Sequence, residues 1–219
     1  MKKLLYVSVN SKPEPLSASK TVGRAVVDCF KATHNVSVEE LDLYEGHIPR
    51  LKYQYFESRN CLVNEECRQT LSKAEQKEVA HIVKLCDQFI AADIIVFAVP
   101  MWSLLFPAPL KEYLDCIIQV DKTITFADKR PKGLLDDKAR SVIYVQSSGA
   151  DITFLNDLII NKGSHYVKEM MTFMGISTFE ELLVDQTGTT EGEKQKAIDA
   201  AVEKIEALVV KILPVNQRK

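Results

Sequence analysis

Three short segments carry side chains suited to holding a phosphorylated, planar ligand. The first spans residues 10–19, where Ser11, Ser17 and Ser19 supply hydroxyls at the start of a helical pattern, and Ala18 adds a backbone N–H. A helix start has unsatisfied N–H donors and the positive end of the dipole, so it receives anions. Each serine hydroxyl adds one donated hydrogen bond to a phosphate dianion. A plain helix cap is the alternative role for Ser17 or Ser19. The segment contains neither G-x-x-x-x-G-K-[ST] nor G-x-G-x-x-G, so it matches neither a nucleoside-triphosphate loop nor a dinucleotide fingerprint. The second segment is Pro100, Met101, Trp102, Ser103 and Leu104, and it holds the single tryptophan of the chain. A large ring with a thioether beside it can cover a flat aromatic ligand; an aromatic packed under a loop is the alternative. The third segment is Ser147, Ser148, Gly149 and Ala150. Such small residues let backbone approach a ligand closely, although an ordinary turn out of a strand has the same composition.

Alternating strand-like and helix-like stretches would position these segments, the pattern of an α/β domain with a mainly parallel sheet. Residues 4–9 form an apolar run, and a helix follows from about Ser19 with Val22, Ala25, Val26, Cys29 and Phe30 on one face. Val36, Val38 and Leu41 suggest a second strand, while residues 44–70 have no clean period and read as a long excursion, in part helical. Ser72 and Glu75 have capping-box spacing ahead of a helix carrying Val79, Ile82, Val83, Cys86, Phe89 and Ile90. Residues 93–99 are apolar on both faces, as central parallel strands are. Pro107 and Pro109 open the next helix, whose apolar face is Leu110, Tyr113, Leu114, Ile117 and Ile118. Residues 123–126 suggest a small extra strand and residues 141–145 the fourth core strand. A helix through Tyr166, Met170, Phe173 and Met174 stops at Gly175, a fifth strand covers 182–184, and a last helix runs from about 191 to 213. The expectation is one domain over residues 1–219: a flavodoxin-like, doubly wound, five-stranded parallel sheet with helices on both faces. In that order, ligands bind at the carboxyl ends of the first and third strands.

Composition narrows the function classes. With 46% hydrophobic and 26% charged residues the chain reads as an ordinary globular domain, and a net charge of −2 gives no footprint for nucleic acid or an anionic membrane. The five cysteines form no C-x-x-C pair and the four histidines no H-x-x-x-H, which points to free thiols in a reducing cytosol and to no metal site. The most apolar stretch, residues 94–102, is about half the ~20 residues needed to span a bilayer. The expected location is cytoplasmic.

The three strand-end segments together fit flavin mononucleotide (FMN), whose phosphate takes donors and whose ring takes flat apolar faces. Its N1–C2=O edge takes N–H donors, because that edge carries negative charge once the ring is reduced. The chain resembles the FMN-dependent NADH:azo-compound oxidoreductases, also described as quinone reductases. The matching pieces are the Ser11, Ser17, Ser19 loop; Phe97-Ala-Val-Pro-Met-Trp102 with Pro107, Leu110, Lys111, Tyr113 and Asp115; Thr125-Phe126; Pro131, Gly133, Leu135 and Lys138; and Tyr166, Phe173, Gly175 and Ile176. They cover most of the chain outside 44–70. The resemblance implies a homodimer with FMN at the subunit interface and NADH or NADPH as donor. It also implies two-electron transfer to quinones or azo compounds by a ping-pong route. It assigns phosphate contacts to Ser11, Ser17, Ala18 and Ser19. Ring contacts fall to Met101, Trp102, Ser103, Leu104, Ser147, Ser148, Gly149 and Ala150. That family usually has asparagine and phenylalanine where this chain has Ser103 and Leu104, and often a second glycine at Ala150. No side chain is expected as an obligatory acid or base. His165, about fifteen residues past the fourth strand, reads as a surface histidine. The apolar residues Tyr53, Tyr55 and Phe56, with the helix over 107–118, are the expected subunit contact.

Two other classes compete. A flavodoxin-type electron carrier would share the fold, but such carriers are typically acidic for docking to basic partners. A hydrolase would need a metal or an activated nucleophile, and neither a ligand cluster nor a G-x-S-x-G elbow is present in the sequence.

Overall fold

The computed structural model describes residues 1–127, 130–151 and 161–213. In chain order the elements are β1 (Lys2–Ser8), α1 (Ala18–Thr33), β2 (Val36–Asp42), β3 (Phe56–Ser58), β4 (Cys61–Leu62), α2 (Glu65–Gln69), α3 (Lys73–Ala91), β5 (Ile94–Pro100) and α4 (Ala108–Ile117). They continue with β6 (Ile124–Ala127), β7 (Arg130–Gly133), β8 (Ser141–Ser147), α5 (Lys162–Phe173), β9 (Thr178–Val184), α6 (Glu191–Val202) and α7 (Ile205–Ile212).

Five strands form a parallel sheet in the order β2-β1-β5-β8-β9, the flavodoxin order expected from the alternation of elements. Successive side chains on a strand face opposite ways, so each central strand feeds two cores. Leu5, Val7, Ile95, Phe97, Val99, Val142 and Tyr144 join one core; Leu4, Tyr6, Ile94, Val96, Ala98, Ile143 and Val145 join the other. The first core is covered by α3, α4 and α5 through Val79, Ile82, Phe89, Leu110, Tyr113, Val167 and Met171. The second is covered by α1, α6 and α7 through Val22, Val26, Phe30, Ile198, Ile205 and Val209. All seven residues of β5 are buried, which is why this strand is the clearest apolar run in the sequence. Gly23 lets α1 approach the sheet closely: a Cβ there would stand 2.8 Å from the Cβ of Ala98.

Local signals account for several boundaries. Ser72 and Glu75 form the capping box ahead of α3. Pro107 and Pro109 flank the start of α4, where a missing N–H costs nothing. The excursion at 44–70 resolves into a single 3-10 turn over Tyr53–Tyr55, the β3–β4 hairpin and the short α2. The small strand near 125 is one arm of a two-stranded antiparallel sheet, β6 with β7, outside the main sheet.

Two expectations are corrected. The last helix is two helices, because the chain tightens to an i→i−3 bond from Lys204 N–H to the Ala201 carbonyl between them. The expected subunit contact fails in part. Tyr55 is fully buried, as are Leu110, Tyr113, Leu114 and Ile117 of α4, all within the chain's own core. The 3-10 turn sends Tyr53 outward, to 94% exposure, and Tyr55 inward.

Candidate functional site

The carboxyl ends of β1, β5 and β8 are neighbours in the sheet, and backbone bonds lace them together. Val9 N–H donates to the Ala98 carbonyl at 2.9 Å, and Met101 N–H donates to the Ser147 carbonyl at 2.8 Å. The three segments singled out from sequence therefore meet at one edge.

The first is built around a residue that the sequence reading passed over. Asn10 is buried; its Nδ2 donates to Ser17 Oγ at 2.9 Å and its Oδ1 accepts from Lys12 N–H at 3.0 Å. Ser17 is the N-cap of α1 and also accepts from Lys20 N–H at 3.3 Å. With both lone pairs of its hydroxyl engaged, Ser17 keeps only its O–H to donate. Ser19 Oγ lies 3.3 Å away and stands behind Ser17, fully covered. Ala18 and Ser19 occupy the first helical positions, where N–H groups have no intrahelical partner. Ser11 is exposed beside them. The cap role and an anion-binding role are thus compatible in one residue: the cap bond consumes acceptors, and an anion takes the donor.

The floor of this corner is an ion pair. Lys20 Nζ lies 2.7 Å from Asp42 Oδ2, which also accepts from Ser8 Oγ at 2.8 Å. Burial works to raise the Asp42 pKa, but the Lys20 ammonium, the Tyr44 N–H and the Ser8 hydroxyl outweigh it and hold the carboxyl below its ordinary value. The pair ties β1, β2 and α1 together under the loop.

The second segment forms a tight two-residue turn. Trp102 N–H donates to the Leu105 carbonyl at 3.0 Å and Leu105 N–H returns the bond at 2.9 Å. Ser103 and Leu104 have φ of 51° and 64°, the positive pair that a type I′ turn demands and that Asn-Gly usually supplies. A leucine at positive φ is an outlier that its surroundings must hold in place. Trp102, Leu104 and Leu105 are each 45% exposed, so Trp102 is not a core aromatic under a loop. Its ring meets the edge of Tyr44 at 6.2 Å between centroids, which gives that scattered tyrosine a structural role. Asparagine tolerates positive φ better than serine. Ser103→Asn should therefore stabilise the protein by about 0.5–1 kcal/mol, raising Tm by roughly 1–4 °C. An unchanged or lower Tm in thermal unfolding would mean that the turn carries no serine strain.

The third segment is half strand, half turn. Ser147 ends β8, and the Ser148 carbonyl accepts from both the N–H and the hydroxyl of Thr187, at 3.0 Å each. Gly149 has nothing within 4 Å of where a Cβ would stand, and its N–H meets no acceptor among the described residues. An open backbone donor at a sheet edge suits a polar ligand rim. Ala150 is exposed, with its N–H on Ser148 Oγ at 3.2 Å. Just behind, Gln146 and Asn161 are buried and joined by a 2.8 Å bond, a pair that sequence spacing does not announce. His165 is half-buried on α5.

A model of the flavodoxin-like fold matches residues 2–209 of the chain. The FMN-dependent NADH:quinone oxidoreductase of Clostridium botulinum (strain Eklund 17B / Type B) is 59% identical over 211 residues, 95% of this chain and 98% of that protein. The chain belongs to the FMN-dependent NADH:quinone oxidoreductase family. A second member of this quinone oxidoreductase family, from Ruminiclostridium cellulolyticum, is 57% identical over 213 residues, 97% of this chain and all of that protein. Among solved structures, the azoreductase from Bacillus anthracis superposes with a TM-score of 0.79 at 26% identity, covering 96% of this chain and 100% of that one. The match to the flavodoxin-like fold agrees with the sheet order. No described helix is long and apolar enough to cross a membrane.

Proposed function

We propose that the chain is an FMN-dependent oxidoreductase that moves two electrons from NADH to quinones and azo compounds, acting as one domain over residues 1–219. The observation that carries this reading is the convergence of an anion-ready helix start, an exposed aromatic turn and an open backbone donor at one edge of the sheet. The arrangement fits FMN. Ser17 is wired to donate, Ala18 offers a backbone N–H, and among the described residues nothing meets the Gly149 N–H or stands within 4 Å of where its Cβ would be.

FMN, when bound, supplies the hydride-accepting and hydride-donating chemistry. This chain's residues do the rest. Ser11, Ser17 and Ala18 bind the phosphate, and Ser19, which is fully covered, does not reach it but supports Ser17 from behind. Met101, Trp102, Ser103 and Leu104 border the ring and exclude water from it. Ser147, Ser148, Gly149 and Ala150 meet its polar edge, with the Gly149 N–H as donor. Serine at 103 cannot offer an amide, so a contact there passes through water. The transfer requires no side chain as an obligatory acid or base, and water protonates the product. With a single cluster of strand-end loops for both substrates, the nicotinamide leaves before the acceptor enters. An enzyme is favoured over an electron carrier because the near-neutral charge gives little for docking to a basic partner.

The working form in this reading is a cytoplasmic homodimer whose subunits meet beside the turn. Leu105 borders a groove of about 1000 Å³ in which Tyr166 and Phe173 lie among Lys162, His165, Lys168, Glu169 and Thr172, a mixed surface for a subunit to cover. Steady-state rates with NADH at several quinone concentrations should give parallel double-reciprocal lines, and light scattering should find a dimer. Intersecting lines, or full activity from a monomer, would contradict the shared site.

A further inference from the structure

We propose that the first turn of α5 is the support that sets the position of the 102–105 turn, with Gly163 as its positioning residue. The inference rests on the proposed function only in that this turn borders the cofactor.

Gly163 is buried, and the nearest atoms to a Cβ there are backbone. The Leu105 carbonyl carbon would stand 3.1 Å away, its Cα 3.3 Å and its oxygen 3.4 Å. The helix therefore lies directly on the peptide that closes the turn. That peptide cannot yield alone, because Leu105 and Trp102 are bonded to each other through both their N–H groups. Pressure on Leu105 moves Trp102, Ser103 and Leu104 with it.

The helix end is fixed on its other side. Asn161, at the N-cap and fully buried, accepts from Gln146 Nε2 at 2.8 Å and donates to Glu181 Oε1 at 3.1 Å. Ser164, also fully buried, donates to the same carboxylate oxygen. Gln146 precedes Ser147, whose carbonyl accepts from Met101 N–H at the base of the turn. Phe106 packs on Tyr166 of α5 at 5.7 Å between ring centroids. One hydrogen-bonded node, buried at Gln146, Asn161 and Ser164 and exposed at Glu181, thus ties β8, β9 and α5 together, and α5 lies against the turn. Two positive-φ residues without glycine need such a support to stay in place.

Helix propensity alone predicts the opposite of a defect. Alanine forms helices better than glycine, so a free position 163 would gain stability from Gly163→Ala. Trp102, the only tryptophan, reports the turn in the full chain stripped of flavin. Gly163→Ala should change its emission and near-ultraviolet circular dichroism. Gly192→Ala, with open space around its Cβ, should leave both unchanged. With FMN added, Gly163→Ala should raise the dissociation constant roughly tenfold and shift the flavin reduction potential. Unchanged Trp102 signals with a raised Tm would overturn the proposal. So would altered signals with wild-type FMN affinity and potential. If Gly163→Ala does not fold, Asn161→Ala, which cuts the node, is read in the same way: an altered Trp102 signal supports the proposal and an unchanged one overturns it. A wild-type chain that binds no FMN would refute the flavin reading, while the Trp102 arm still decides whether α5 supports the turn.

Discussion

Replacing Ser17 with alanine should weaken FMN binding about ten- to a hundredfold, the equivalent of one charge-assisted hydrogen bond worth roughly 1.5–3 kcal/mol. The size of the effect follows from the wiring of the hydroxyl. Asn10 Nδ2 and Lys20 N–H both donate to Ser17 Oγ, so its remaining proton is directed to an acceptor, and a phosphate oxygen is a better one than Ser19. The same substitution removes the N-cap of α1, at a cost of about 1 kcal/mol in stability. The two consequences separate cleanly. Titration of flavin-free protein with FMN reads the first, and thermal unfolding without FMN reads the second. A lower Tm with unchanged FMN affinity would make Ser17 a cap and nothing more.

Gly133→Ala should produce the largest loss of stability among the glycine-to-alanine substitutions, because its added methyl group meets backbone most closely. A Cβ at Gly133 would come under 3.0 Å from the Met174 carbonyl carbon and oxygen and from the Gly175 nitrogen, all backbone atoms that have no rotamer to move. The contact is locked from both sides. Leu135 N–H donates to the Met174 carbonyl at 2.8 Å, and Gly175 sits at φ 101°, a conformation open to glycine. Overpacking typically costs 1–3 kcal/mol; against backbone on both sides the expected loss is at least about 3 kcal/mol, a fall in Tm of roughly 6–12 °C. Thermal unfolding checks this, and a Tm within a degree or two of wild type would show that the β7 end can move away from α5.

Gly133 and Gly175 lie far apart in the chain, yet a Cβ at Gly133 would meet the Met174–Gly175 peptide and a Cβ at Gly175 would meet the backbone of Leu135 and Asp136. What was legible from sequence was local. An apolar run buried on both faces marks β5, the Ser72 and Glu75 pair marks the start of α3, and Gly175 marks the end of α5. The three strand-end segments were legible because they follow such strands.

What was not legible depends on partners distant in sequence or on backbone angles. β7 is Arg-Pro-Lys-Gly and mostly exposed, so no hydrophobic alternation announces it; only pairing with β6 makes it a strand. Tyr53 and Tyr55 look alike among charges, yet one 3-10 turn sends one out and buries the other. Asn10 acts through Ser17, and Gln146 through Asn161 and Glu181, by hydrogen bonds that no period predicts. The positive φ of Ser103 and Leu104 is hidden because neither is a residue that prefers it.

That the strand-end site holds FMN and passes electrons from NADH to a quinone is our proposal. It is tested most directly by an anaerobic titration of the FMN-loaded protein followed by its visible spectrum. NADH should bleach the yellow oxidised flavin absorbance, and a quinone added afterwards should restore it. A protein that stays colourless with FMN present, or a bound flavin that NADH leaves oxidised, would contradict the account.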